Sequence, residues 1–317
     1  MLICSQVGAI AMCNLSRPEF HDEEAARKWL EAQLWPAGPV CPHCKETNKA
    51  TKLEGTAHRT GLYKCNACGQ QFTVTVGTLY ESSKIPLHTW LAVTHLMMAS
   101  KKGMSALQIS RMIDRPYKTV WFLCHRIRES LRDDSATPMG GPNSPVEADE
   151  TFVGGKAKNR AYKEPAPKKA VLSLIDREKG QVRSFHVPTV TAKTLKPIIA
   201  KNVAQASVLM TDEATVYSGI GKKFEAHHTV CHSANEYARL GSYIHINTAE
   251  SFFSIVKRGI IGSYHHVSEA HLHRYMVEFD YKYNTRKMTD AERFAASIPG
   301  IVGKRLTYRR PVEAGLV

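Results

Sequence analysis

The sequence predicts an α/β chain: a mixed sheet with flanking helices, preceded by a small metal-tied ribbon and a helical segment. Three observations carry this. Two CxxC pairs, Cys41-Pro-His-Cys44 and Cys65-Asn-Ala-Cys68, stand on either side of a twenty-residue loop. Short apolar runs of strand length and one helical run succeed each other between Val146 and Met210. A late amphipathic stretch, Asn247 to His266, sets Glu250, Ser254 and Lys257 opposite an apolar side of Ala249, Phe252, Ile255 and Val256.

Bulk composition narrows the class. With 317 residues, 43% hydrophobic and 23% charged, the chain is long enough for two or three folded domains and is not disordered. Its 43 Lys and Arg against 29 Asp and Glu give a net charge of +14, which favours a polyanionic partner. Membrane-surface or ribosome-like binding would give the same surplus, so charge by itself leaves the partner open. No apolar run reaches the ~18 residues of a membrane helix. The opening residues lack the basic start and long apolar centre of a secretory signal, and Met12 serves as a start as well as Met1 does. A cytoplasmic location is expected, where eight cysteines speak for metal or free thiols before disulfides.

After an amino-terminal segment (1–34), residues 35–80 read as a zinc ribbon. Two residues between cysteines let a tight turn aim both thiolates at one ion, so Cys41, Cys44, Cys65 and Cys68 complete a tetrahedral structural Zn²⁺ site with no open position. The alternating Phe72-Thr-Val-Thr-Val76 reads as a strand behind the second knuckle, and His43 as an outward-facing residue. Cys4, Cys13, Cys124 and Cys231 lack such spacing and read as free or buried thiols.

Residues 85–132 form a helical segment: Leu87 to Ser100, a break at Lys101-Lys-Gly103, a short helix capped by Ser105 and running to about Ile113, a turn at Asp114-Arg-Pro116, and Tyr117 to Leu131. The spacing fits a helix-turn-helix with Lys118, Arg126 and Arg128 as DNA contacts, and equally a helical hairpin that supports its neighbour. Residues 133–145, rich in Pro, Gly and small polar residues, read as a linker.

From 146 to 300 the order is strand (Val146–Val153), strand (Lys169–Ile175), strand (Val182–Val187), helix (Thr191–Val203) and strand (Ser207–Met210). Asp149 and Asp212 fall near the ends of apolar strands, with Glu250 a further 38 residues on. Converging acids repel one another and make sense where they share divalent cations, for which carboxylate oxygens are the preferred ligands. Glu147 and Glu150 are assigned to the opposite face of the strand from Asp149, and Glu213 lies outside the site by the same period of two. Lys156, Lys158 and Arg160 open a basic stretch beside these acids that suits phosphate contact. A basic tail (301–317) ends the chain.

Taken together, Trp35 to Cys44, Trp121 to Arg128, Asp149-Glu-Thr-Phe-Val-Gly-Gly155, Asp212, the block His245 to His266 and Tyr283-Asn-Thr-Arg286 resemble bacterial insertion-sequence DDE transposases with an amino-terminal zinc ribbon. The resemblance spans about residues 15 to 290. It implies an RNase H-like catalytic domain and two-metal DNA cleavage and strand transfer, with Mg²⁺ or Mn²⁺ held by Asp149, Asp212 and a third residue. Both Glu250 and Asn247 are on offer for that third place, with Glu250 ahead. It further implies that Lys257 and Arg258 contact DNA, that the partner is double-stranded DNA at transposon ends and target, and that the working complex is a dimer or larger. A DNA-binding regulator with an inactive nuclease domain, or an RNase H-type resolvase, are the rival readings.

Overall fold

The computed structural model describes residues 15–133, 137–154, 168–231, 238–239, 241 and 243–307. Cys4 and Cys13, and the basic residues Lys156, Lys158, Arg160 and Lys163, lie outside the described residues. Two compact units divide the chain. The first takes Met1–Ala99, Ile109–Ser130 and Lys287–Leu306; the second takes Ser100–Gln108, Leu131–Arg286 and Thr307–Val317.

The first unit begins with helix α1 (Glu23–Leu34), whose N-cap Asp22 accepts the Ala25 N–H at 2.7 Å. A three-stranded antiparallel sheet follows, β1 (Ala50–Leu53), β2 (Leu62–Cys65) and β3 (Gln71–Phe72). Two of its strands thus lie inside the loop between the cysteine pairs. The strand expected over Phe72–Val76 is confined to Gln71–Phe72. Beyond it the chain turns, with Val76 N–H on the Thr73 carbonyl and Thr78 N–H on the Thr75 carbonyl. Thr73 and Thr75 also join their hydroxyls at 3.0 Å, local bonding of the kind that competes with a strand ladder.

Helix α2 (Leu87–Ala99) is buried along nearly its whole length. Its first N–H groups, on Leu87 and His88, are received by the Glu23 carboxylate at 3.0 and 3.3 Å, a cap supplied from α1. Helices α3 (Ala106–Met112) and α4 (Tyr117–Ser130) come next, with Ser105 Oγ accepting the Gln108 N–H as its capping role requires.

The second unit is built on a five-stranded sheet: β4 (Pro145–Val153), β5 (Lys169–Asp176), β6 (Gln181–Val187), β7 (Val208–Asp212) and β8 (Ala226–Val230), in spatial order β6-β5-β4-β7-β8. The first three form an antiparallel meander, while β7 runs parallel to β4 and β8 parallel to β7. Helix α5 (Ala192–Asn202), capped by Thr191, connects the meander to β7. Helix α6 (Asn247–Gly259), a π-helical turn (Ile260–Tyr264) and helix α7 (Glu269–Asn284) complete the unit. This mixed sheet with helices on both faces is RNase H-like.

Strand alternation sorts the core into two layers. Val146, Ala148, Leu172, Leu174 and Leu209 face Leu195 and Ile199 of α5. Val153, Val171 and Ile175 face Phe252, Phe253 and Val256 of α6 and Met276 and Phe279 of α7. On α6, Phe253 joins the buried stripe where Ile255 was expected, and Ile255 is half-buried. The 133–145 stretch is knitted to this unit in part: Met139 is buried and exchanges backbone hydrogen bonds with Asn202 and Ala204.

Helix α8 (Asp290–Ser297) returns to the first unit behind a capping box of Thr289 and Glu292. Its Phe294 stacks on Trp29 at 4.7 Å. No described helix is long and apolar enough to cross a membrane.

Candidate metal centres and nucleic-acid interface

In the ribbon, the four sulfurs of Cys41, Cys44, Cys65 and Cys68 lie within 4.8 Å of one another. Cys41 and Cys68 are 3.7 Å apart, and Cys44 and Cys65 3.6 Å. A tetrahedron of ~2.3 Å zinc–sulfur bonds separates its corners by about 3.8 Å, so the donor set and its spacing both fit Zn²⁺. Cys41 and Cys65 are buried with Tyr63 and Phe72 in a core of little more than three aromatic rings, the third being Trp35 set edge-on to both. A core that small needs the metal to fold. His43 is exposed, off the cluster, as expected.

In the second unit, parity decides which carboxylates meet. Asp149 shares its face of β4 with Thr151 and Val153, toward α6. Asp212, the last residue of β7, shares its face with Val208 and Met210, which pack on Ile246 just before α6. The parallel register pairs Pro145 with Val208 and Glu147 with Met210. Carried two residues further, it sets Asp149 level with Asp212. Asp212 ends β7 and Asp149 stands at the middle of β4, on adjacent parallel strands where the strand order reverses, the place where open sheets put their sites.

Glu250 comes from the first turn of α6 and lines a cleft of about 800 Å³ together with Asp149, Glu150 and Thr151. Ser254, Lys257 and Arg258 continue that wall along the same helix face, and Lys102 closes it. Burial pushes the Asp149 carboxyl up to about 7, opposed by a hydrogen bond from the Glu150 N–H and reinforced by the charges of Glu150, Asp212 and Glu250. That influence joins Asp212 to Asp149 and Glu250 electrostatically, although its side chain is not part of the cleft wall. Asn247 is exposed one turn earlier and does not line the cleft.

Two neighbouring acids separate by function. Glu150 faces the α5 layer, where the Tyr217 hydroxyl donates to it, and burial raises its pKa. Glu147, expected opposite Asp149, is two residues away and therefore on the same face. It is wholly buried and ion-paired with Arg177. The opposite-face expectation fails on the period-two rule itself.

Several other marked residues prove to hold the fold. Asn284 accepts the Val182 N–H and donates to the Val182 carbonyl, pinning α7 to β6. Arg286 lies over Tyr283 and donates to the Gly180 carbonyl. In the first unit, Lys118 is exposed at the start of α4, while the Arg126 guanidinium lies over Trp90 at 4.8 Å and Arg128 is only 2% exposed. Residues the sequence did not mark are Lys102, the π-turn lip Ile261-Gly262-Ser263, and the exposed Arg111 and Arg115 near Lys118. The break in periodicity after Gly259 is the one local sign of that turn.

Comparison with known proteins gives two matches to family profiles. Residues 140–284 match an ISXO2-like transposase domain, and residues 21–71 match a transposase zinc-ribbon domain. The chain is 25% identical over 256 residues to a protein of Halobacterium salinarum described as an uncharacterized protein in transposable element ISH50, covering 75% of this chain and 83% of the relative. Among solved structures, a chain in the cryo-EM structure of the simian T-cell lymphotropic virus intasome in complex with PP2A regulatory subunit B56 gamma aligns over 59% of this chain and 66% of its own length. That alignment has 14% identity and a TM-score of 0.28, too weak a likeness to bear on the fold.

Proposed function

We propose that this chain, which matches an ISXO2-like transposase domain over residues 140–284 and a transposase zinc-ribbon domain over residues 21–71, is an insertion-sequence transposase that binds the terminal inverted repeats of its element, cuts at their ends and joins them to target DNA. The observation that carries this reading is the arrival of Asp149, Asp212 and Glu250 on one side of the sheet, beside a cleft whose helical wall bears Lys257 and Arg258.

The donor set is carboxylate oxygen throughout, which suits Mg²⁺ or Mn²⁺, with Asp149, Asp212 and Glu250 as the holding residues. Such ions, when bound, supply Lewis acidity for phosphodiester hydrolysis and transfer. The chain's own residues do the rest. Lys257, Arg258 and Lys102 neutralise backbone phosphates and set the strand across the cleft. The apolar face of α6, buried against β4 and β5, keeps Glu250 and Lys257 aimed at the same opening. Asn247 gives way to Glu250 as the third residue, a choice supported by the cleft wall.

Lys118 leads the end-binding surface of the helical segment, joined by the exposed Arg111 and Arg115. Arg126 and Arg128 act there as packing residues that hold α4. The basic residues Lys156, Lys158 and Arg160, which follow Asp149 in the sequence, are assigned to further phosphate contact. Synapsis of two ends requires at least two copies of the chain, working in the cytoplasm at the nucleoid.

A strand-transfer assay on end-sequence DNA with Mg²⁺ tests this. Asp149→Asn, Asp212→Asn and Glu250→Gln are each expected to lower cleavage by more than about 100-fold while DNA binding persists. Wild-type protein that binds these ends without cutting them would support a regulator instead. Cleavage that survives Glu250→Gln and is lost in Asn247→Ala would move the third position to Asn247.

A further inference from the structure

Glu147 occupies a place that neither cleft nor core explains. It lies two residues before Asp149 on the same face of β4, and it is 0% exposed. A buried carboxylate is costly unless every oxygen is partnered. Both of its oxygens are. Oε1 receives Arg177 Nε at 2.5 Å and lies 3.3 Å from His245 Nδ1. Oε2 accepts the backbone N–H of Ala249 at 2.8 Å.

Ala249 is the third residue of α6, so its N–H is one of the four that a helix start leaves without an internal partner. The residue before the helix, Ile246, has no side chain able to cap it. Glu147 therefore does the work of an N-cap from 102 positions away, with its negative charge at the positive end of the helix dipole.

Arg177 extends the anchor into the segment that leads to the helix. Its guanidinium donates to the Tyr243 carbonyl at 2.6 Å and to the His245 carbonyl, and touches Met210 Sδ at 2.8 Å. His245 Nδ1 in turn accepts the Asn247 N–H at 3.3 Å. Two of the first three N–H groups of α6 are thereby tied to one ion pair whose carboxylate is buried.

We propose that Glu147, braced by Arg177, is a positioning residue that sets the distance between Asp149 and Glu250. The connection is short at both ends: Asp149 follows Glu147 by two residues on the strand, and Glu250 follows Ala249 by one on the helix. With both oxygens engaged and no exposure, Glu147 is not itself a ligand. The inference rests on the proposed role of Asp149 and Glu250 as cation-holding residues.

Mn²⁺ binding to the zinc-loaded full chain, measured by titration calorimetry, tests it without reference to activity. Glu147→Gln should weaken Mn²⁺ binding by roughly 10- to 100-fold, the range found for residues that orient ligands. In a Glu250→Gln background the same substitution should change Mn²⁺ affinity by less than about twofold, because the group it positions is already gone. Should Glu147→Gln fail to fold, leaving the half-buried Arg177 beside an amide, Glu147→Gln with Arg177→Met removes both charges and carries the same expectation. Unchanged Mn²⁺ affinity in Glu147→Gln, or an equal loss in both backgrounds, overturns the positioning role. Mn²⁺ affinity unaffected by Glu250→Gln overturns the assignment of Glu250 instead, and the purpose of the Glu147 anchor falls with it.

Discussion

The ribbon and the five-stranded sheet both gather acidic or thiol ligands, yet they stand in opposite relation to a metal. The ribbon has three aromatic rings for a core, and its four sulfurs already sit at zinc spacing. The sheet unit buries two layers of aliphatic and aromatic side chains, and its carboxylates gather at the edge of that core, not within it. In the first region the ion replaces a core. In the second, on the proposed role of Asp149, Asp212 and Glu250, the core holds carboxylates in place for an ion, with mutual repulsion among them as the consequence.

The sharpest way to break this comparison is Cys65→Ser. It should release zinc and unfold the ribbon, a loss of several kcal/mol or more given the ~10–16 kcal/mol that zinc contributes to small fingers. The sheet unit should keep its own unfolding transition, read by calorimetry alongside zinc release. A single shared transition would mean that the two regions do not differ as described.

Asp280 sharpens the other side. It is buried, accepts the Ser184 N–H and hydroxyl at 2.8 and 2.6 Å, and burial lifts its pKa from an ordinary value of 3.8 to about 7. Between those two pH values the folded state binds more protons than the unfolded one, so stability falls as pH rises through the window and stays lower above it. Asp280→Asn should flatten that slope, worth roughly 2–4 kcal/mol between pH 4 and 7.5. Urea denaturation of both proteins across this range checks the sign.

A smaller effect is expected at Gly259, where α6 passes close to its neighbours. A Cβ there would lie 2.6 Å from the Phe279 ring and 2.7 Å from the Lys102 carbonyl. Gly259→Ala should cost about 1–3 kcal/mol by overpacking, seen as a lowered midpoint of the sheet unit and not of the ribbon. Smallest is Lys118→Ala, exposed at the start of α4. It should leave both transitions alone and lower the slope of log K against log salt for DNA binding by about 1.

What the sequence made legible follows from how local each signal is. Helices α3 and α5 announced themselves through Ser105 and Thr191, caps that act within three residues. The zinc ligands were equally plain, since CxxC spacing is itself the geometry. Strand β8, Ala226–Val230, gave no sign: two histidines and a threonine break its apolar run, and its place comes from backbone pairing with β7. The ribbon strands were displaced for a similarly hidden reason, because the Thr73–Thr75 hydroxyl pair outcompetes a period-two pattern. In the proposed site, Asp149, Asp212 and Glu250 were marked by position on their elements. The pairing of buried Glu147 with Arg177 was not, since nothing near either residue says that they meet. Arg128 reads as a surface cation on any helical wheel until α4 is packed.

The spacing of the two ligand sets also gives the molecule an order of birth. The ribbon's four thiolates are all present once Cys68 has been added, with sulfurs no more than 27 residues apart, and its last strand follows within four residues. The carboxylate cluster has no existence until Glu250 follows, because β4 and β7 pair in parallel across a crossover and α6 comes later still. At ~5–20 residues per second of synthesis, that interval is on the order of 10–40 s. During it the nascent chain carries a finished zinc ribbon and no assembled carboxylate centre.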